Sequence, residues 1–261
     1  MPEQKKTSAA QASAHQPRPA PDARAQPHAN WLLVHGIRAL LQRFARTWSR
    51  LPPHAGSVFV RTLAAGWAVS AAVMLAMVWL GRTYLGDETL LLLRIVDVSP
   101  VSFHAAIWVE TPGNSIFLVP VMVAAAIVAV WRDMPLRALA IVAAFCMIDT
   151  LVLLGWLVWD RPRPTLIADG IAAPGFHAFP SGHVAQTITV YGLFACFWAA
   201  ATPHRVERVV AVAVCSVLVI AVAFARLGLG THWPSDIVAG AVIGGLWLAV
   251  VMHALRRAER C

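Results

Sequence analysis

This sequence is short of charge: Asp, Glu, Lys and Arg make up 13% of 261 residues, where soluble domains carry roughly a quarter. Too few charges are present to cover a globular surface, so a soluble enzyme, a disordered regulator and a nucleic-acid reader are all disfavoured. The 59% hydrophobic content points to a membrane protein. Acid is scarcer than base, 13 residues against 21, which gives a net charge of +8. That excess does not call for nucleic acid, because most of it falls in short basic segments beside apolar runs, where it fixes topology. Of the four cysteines, Cys146, Cys196 and Cys215 lie within apolar runs and Cys261 is the last residue. They imply no disulfide framework and read as small core hydrophobes. A basic start followed directly by an apolar stretch is also lacking, so no secretory signal is expected.

The chain divides into three parts. Residues 1–30 are rich in Ala, Pro, Gln and Ser without periodicity, which predicts a disordered cytoplasmic tail. Residues 31–56 carry Leu33, Ile37, Leu40, Leu41, Phe44 and Trp48 at helical spacing, with Arg38, Arg43, Arg46 and Arg50 largely elsewhere on the wheel. The pattern predicts an amphipathic interfacial helix. Residues 57–256 contain apolar runs at 62–80, 115–131, 138–159, 184–202, 209–225 and 237–255, each near the length needed to cross a bilayer. The expected fold is therefore all-α, a polytopic bundle of six transmembrane helices. Arg132, Arg137, Arg205, Arg208, Arg256, Arg257 and Arg260 fall on one side with the basic N-terminal region, which predicts N-in and C-in. The opposite side collects Asp87, Glu88, Asp97, Glu110, Asp160 and Asp169. Residues 82–114 are too polar and too interrupted by Pro100 and Pro112 to cross, although Leu90 to Leu93 can lie in the interface. Gly240, Gly244 and Gly245 give a GxxxG spacing that permits close helix packing.

Three segments break the membrane pattern, and all fall on the non-cytoplasmic side: Asp160-Arg161-Pro162-Arg163-Pro164, Phe179-Pro180-Ser181-Gly182-His183, and residues 226–236. Arginines on this face oppose the topology rule, so something must favour them. Arg161, Arg163 and Arg226 make a planar, always-charged donor set suited to phosphate oxygens; the plainer reading is that they snorkel to head groups. Pro180-Ser181-Gly182-His183 opens a helix, where unpaired N–H groups, a small Gly182 and the Ser181 hydroxyl form a cradle for an anion. His232 precedes Asp236 by four residues, a spacing that lets the carboxylate hold the imidazole and leaves its other nitrogen free to attack an electrophile. Asp149, one heptad before Trp156, is an intramembrane carboxylate and by default a functional candidate. His177 sits close to the cradle in sequence.

These three segments resemble the signature of the type 2 phosphatidic acid phosphatase (PAP2) superfamily of integral-membrane lipid phosphatases. The block Pro180 to His183 is complete; Arg226, His232 and Asp236 match the third block, with Ala225 where the family usually has Ser; Arg163-Pro164 matches the first, but Trp156 stands at its Lys position. The resemblance extends over about residues 58–255. It implies that His232 attacks phosphorus to give a phosphohistidine, Asp236 orients it and His183 acts as general acid, while Arg163, Arg226, Ser181 and the Gly182 backbone hold the phosphate. No metal or other cofactor is implied. Arg161 stands near enough in sequence to compensate for the missing Lys. The implied partner is a lipid phosphate in the bilayer, with no nucleic acid: an isoprenyl diphosphate such as undecaprenyl diphosphate, phosphatidic acid or phosphatidylglycerophosphate. The expected location is a bacterial inner membrane, with the site on the outer face. Two alternatives stand beside this reading: a metal-dependent hydrolase with His177, His183, His232 and Asp236 as ligands, and a non-catalytic lipid-binding or transport protein that keeps the fold.

Overall fold

The computed structural model describes residues 25–99, 101–165 and 178–261. Helices make up its framework: α1 (Ala25–Trp48), α2 (Ala55–Tyr84), α3 (Thr89–Asp97), α4 (Phe103–Val109), α5 (Ser115–Trp131), α6 (Pro135–Val158), α7 (Gly182–Ala201), α8 (Arg205–Gly228) and α9 (Pro234–Ala258). Six stretches are long and apolar enough to cross a membrane: α2, α4 with α5, α6, α7, α8 and α9. They coincide with the six expected runs. Among the described residues there is no strand.

Among the described residues, those from Ala25 to Leu41 and those from Gln42 onward fall in two compact units. In the first, α1 carries Trp31, Val34, Ile37 and Leu41 exposed at helical spacing, the apolar face expected of an interfacial helix. The helix starts at Ala25, inside the stretch expected to be an irregular tail. Once a helix has nucleated, each added residue costs little, so it propagates backward from the amphipathic run. Pro52 and Pro53 lack N–H groups and fall in the turn that separates α1 from α2.

In the second unit α9 is the central helix, packing on α2, α6 and α7. It buries Ile243, Trp247 and Val251, and the Trp247 indole N–H lies 3.2 Å from the Ala144 carbonyl and 3.3 Å from that of Ala143 on α6. The glycine spacing noted in the sequence is used at the α7 contact. A Cβ on Gly240 would sit 2.5 Å from the Ser181 carbonyl oxygen, and one on Gly244 2.7 Å from that of Ala185. The backbones of α7 and α9 therefore touch directly, and Thr189 Oγ1 on α7 donates to the Gly244 carbonyl at 3.1 Å. Helix α8 is peripheral: Val206, Val210, Val214 and Val217 make an exposed apolar stripe, the surface a lipid-facing helix presents. Cys146 is likewise exposed on α6 rather than buried. Apolar residues in a membrane helix need not turn inward, so a buried position could not be read from its apolar neighbours.

Residues 82–114 are only in part outside the spans: from Phe103 they belong to the stretch Phe103–Trp131, which corrects the expectation that none of them crosses. They fold into α3, α4 and a single 3-10 turn at Thr111–Gly113, with α3 and α4 against α8. Ser102 and Asn114 cap the helices that follow them, accepting from the Ala105 and Ile116 N–H groups. The consequence is positional, because this segment sets Glu88 before α3 and Glu110 after α4 at the same end of the bundle as the starts of α7 and α9.

Close approach of α7 and α9 is testable. Gly240→Ala and Gly244→Ala each push a methyl into backbone and are expected to destabilise by about 1–3 kcal/mol, as overpacking does. A Cβ on Gly245 meets nothing within 4 Å. Thermal unfolding in detergent should therefore show a lowered Tm for the first two variants and none for Gly245→Ala.

Candidate active site

Four helix ends converge at one end of the bundle: the end of α6 with residues 159–165, the start of α7, the end of α8, and the start of α9. The Ser181 N–H donates to the Asp236 carbonyl at 3.0 Å, which ties the two helix starts together. A cavity of about 460 Å³ opens between them, lined by Arg163, Gly182, His183, Arg226 and His232 together with Ser115, Asp149, Val152, Leu153, Trp156 and Gln186. The structure thus brings together, around one space, candidates that are 69 residues apart in sequence, from Arg163 to His232 (232 − 163).

His232 is fully buried in the short connection between α8 and α9. Its Nδ1 lies 2.8 Å from the Ala178 carbonyl oxygen. A carbonyl only accepts, so Nδ1 carries the proton and Nε2 keeps its lone pair. Burial lowers the pKa of this imidazole to about 4, against the opposing pull of Asp236. The ring is therefore neutral at physiological pH, the form a nucleophile requires. The Asp236 Oδ2 stands 3.7 Å from Nδ1, beyond a hydrogen bond. Its closer partners are the Trp233 N–H at 2.7 Å and the Arg161 guanidinium, which meets Oδ1 at 2.5 Å. The carbonyl, rather than Asp236 alone, thus fixes the tautomer, and the carboxylate acts at slightly longer range.

Among the described residues, three buried polar atoms have no hydrogen-bond partner: Ser181 Oγ, His183 Nε2 and Arg226 Nε. All belong to candidate residues. Buried donors and acceptors are nearly always paired, so three orphans around one site mark a place built for a polar ligand. Ser181 does not cap α7 through its side chain, despite standing at the N-cap position. It lies beside the cavity wall rather than on it. Arg226 is buried and held by Glu110 in an ion pair. Arg163 donates to the Thr231 carbonyl at 2.8 Å while facing the same cavity. Burial first and then the neighbouring Arg226 lower its pKa, against the opposing pull of Asp236.

Arg161 is placed differently from the expectation that it binds phosphate. It does not line the cavity: its guanidinium is shared among Asp236, Ser235 at 2.6 Å and Glu88 at 2.5 Å. Glu88 also accepts from the Ser235 N–H and hydroxyl. Arg161 is therefore spent on carboxylates behind His232, which outcompete a mobile phosphate for its donors. At the Lys position, Trp156 lines the cavity and donates its indole N–H to the Pro180 carbonyl at 3.1 Å, bracing the turn into α7 with a neutral group. Two functional neighbours, Glu88 and Glu110, were visible in the sequence only as members of an acidic face; nothing in their spacing pairs them with Arg161 and Arg226. His177 lies outside the described residues, and among the described ones no three His, Cys, Asp or Glu side chains stand close enough to hold a metal ion.

A bundle of six helices long and apolar enough to cross a membrane, with imidazole and guanidinium groups around a cavity at one end, defines a class, a polytopic helical membrane protein. Residues 135–260 match the PAP2 superfamily. The fold is also that of the crystal structure of a transmembrane PAP2 type phosphatidylglycerolphosphate phosphatase from Bacillus subtilis. The match has a TM-score of 0.53 at 20% identity, covering 77% of this chain and 96% of that one. No curated protein matches the sequence.

Two outcomes follow from the geometry. Removing one partner of a buried ion pair costs about 3–5 kcal/mol, so Arg161→Ala and Glu110→Ala should each lower the Tm measured in detergent. His232 should remain the neutral Nδ1–H tautomer in nitrogen-15 spectra from pH 8 to pH 5, and a cationic signal at pH 6 would contradict the burial argument. Because its folded pKa, about 4, lies below the ordinary histidine value of 6.5, its contribution to stability is complete above pH 6.5 and is lost as the pH falls towards 4.

Proposed function

We propose that this protein is a lipid-phosphate phosphatase. The observation that carries the reading is the convergence of a neutral buried His232, the orphaned Nε2 of His183 and two arginines on one cavity at a helix N-terminus. Those groups supply what a phosphoryl transfer needs: a nucleophile, an acid, and fixed positive charge for the equatorial oxygens. In the first step Nε2 of His232 bonds to phosphorus and the P–O bond to the lipid breaks. His183 gives a proton to the departing oxygen. Water then attacks the phosphohistidine, releasing inorganic phosphate and restoring His232, with His183 taking up the proton of that water. Arg163, Arg226, Ser181 and the Gly182 N–H hold the phosphoryl oxygens throughout. Arg161 acts only as a positioning residue, holding Asp236 behind the nucleophile.

The substrate class is a phosphomonoester or diphosphate of a membrane lipid. The solved relative is described as a phosphatidylglycerolphosphate phosphatase, which favours a glycerolipid among the candidates. The site end of the bundle is the end away from Arg132, Arg137, Arg205, Arg208 and Arg256, so an outward-facing site with both termini inside agrees with the charge rule. A bacterial inner membrane is the compartment proposed. The three-part division, an N-terminal tail, an interfacial helix and a six-span domain, is retained as a proposal, with the helix beginning at Ala25.

Phosphate release from a small panel of lipid phosphates in detergent tests the reading. Wild type is expected to turn over at least one of them, undiminished by a chelator. His183→Ala should lose about 10²–10⁴-fold in kcat, and His232→Ala should fall to background. Arg163→Ala and Arg226→Ala should weaken vanadate inhibition, and Arg161→Ala should leave it nearly intact. Tight lipid binding without any phosphate release would instead favour the non-catalytic reading, to which Trp156 at the Lys position lends its one support.

A further inference from the structure

The cavity has a second polar group, distinct from the residues that face phosphate. Asp149 on α6, Gln186 on α7 and Ser115 at the start of α5 line its inner part. Gln186 Nε2 donates to Asp149 Oδ1 at 2.5 Å and approaches Ser115 Oγ at 3.4 Å. Gln186 is three residues beyond His183 on α7, so this cluster lies nearly one helical turn, about 5 Å, deeper in the membrane than the phosphate groups. Burying a carboxylate there is costly, and neither the fold nor the proposed phosphoryl chemistry requires it.

What remains open on this cluster is acceptor capacity. The Gln186 amide already satisfies one oxygen of Asp149, which leaves Asp149 Oδ2 and Gln186 Oε1 with no partner among the described residues. Both only accept. A ligand group facing them must donate. In a lipid seated with phosphate at the helix ends and its chain running inward, the group that reaches this depth is the one borne on the carbon beside the ester carbon. We propose that Asp149, Gln186 and Ser115 form a recognition subsite for a hydrogen-bond donor, a hydroxyl or an amide N–H, carried next to the phosphoester of the lipid substrate. The inference rests on the lipid-phosphate reading of the same cavity and narrows it. A plain prenyl chain offers no donor and would leave the acceptors stranded; a second phosphate lodged at that depth would meet the Asp149 carboxylate. Fully acylated glycerol presents only further acceptors. Lipids with a free hydroxyl or an amide at the adjacent carbon satisfy the subsite.

The test uses a pair of substrates that differ by one oxygen: a 1-acylglycerol 3-phosphate and its 2-deoxy counterpart, a 1-acylpropanediol 3-phosphate. Full-length protein in detergent should show kcat/KM at least about tenfold higher for the hydroxyl-bearing lipid, the loss expected when a charged acceptor is left unpaired. In Asp149→Leu, which suits an apolar helix, the ratio should fall to near one; Asp149→Asn, which keeps the shape, should fall in between. Equal rates for the two lipids in wild type overturn the proposal, as does a ratio that Asp149→Leu leaves intact. Should wild type release no phosphate from either lipid, the phosphatase reading fails instead. The subsite is then judged by the same ratio of affinities, read from quenching of tryptophan fluorescence by the two lipids: a preference of tenfold supports it, and equal binding overturns it.

Discussion

The whole site depends on two helices being able to touch. Gly240 and Gly244 allow α9 to lie against the first turn of α7, with carbonyl oxygens where side chains would otherwise stand. From that contact the rest follows: the Ser181 N–H reaches the Asp236 carbonyl, the Pro180 to His183 turn comes beside His232, and one cavity receives groups from both helix starts. Lipid cannot drive such helices together by the hydrophobic effect, because its chains are as apolar as the side chains they would replace. Close backbone packing, a hydrogen bond from Thr189 and the buried Trp247 take over that role.

Upon this scaffold sits an arrangement of charge that keeps two jobs apart. Arg163 and Arg226 face the cavity, whereas Arg161, only two residues from Arg163, turns the other way into Asp236 and Glu88. Pro162 between them restricts the backbone on either side, and in this irregular connection two arginines with one residue between them need not share a face. The result is a cationic front and a carboxylate-clamped rear, with His232 between. Its tautomer is set by the backbone carbonyl of Ala178, 54 residues away in sequence, so the imidazole is oriented by the fold as much as by its acid partner.

Much of this was legible in the sequence, and the reason is physical. Six spans declare themselves by length and hydropathy, and polar residues inside or beside such spans are too costly to be incidental, so the clusters at 160–164, 179–183 and 226–236 stood out. The same reasoning could not give direction. Arg161 and Arg163 have identical chemistry, and only their three-dimensional partners separate them. Glu88 and Glu110 lie in a segment without strong periodicity, in α3 and α4 territory that propensity could not resolve. The exposure of Cys146 was equally hidden, because a helix bathed in lipid shows no contrast between its inner and outer faces. Asp149 was visible as an anomaly, but its link to Gln186 needed the register of α6 against α7.

Each of the two buried arginines takes a carboxylate from before residue 135, where the superfamily match begins, Glu88 for Arg161 and Glu110 for Arg226, and only Arg161 has a second one, Asp236, from within the matched stretch. The half of the chain that bears the signature is therefore electrostatically unfinished by itself. Chain order turns this dependence into an advantage during biosynthesis. Glu88 and Glu110 leave the ribosome ahead of Arg161 and Arg226, so each guanidinium reaches the membrane after the anion that will receive it has been made. A late-arriving cation meets a waiting counter-ion, and the two most expensive side chains in the bundle need not be carried alone.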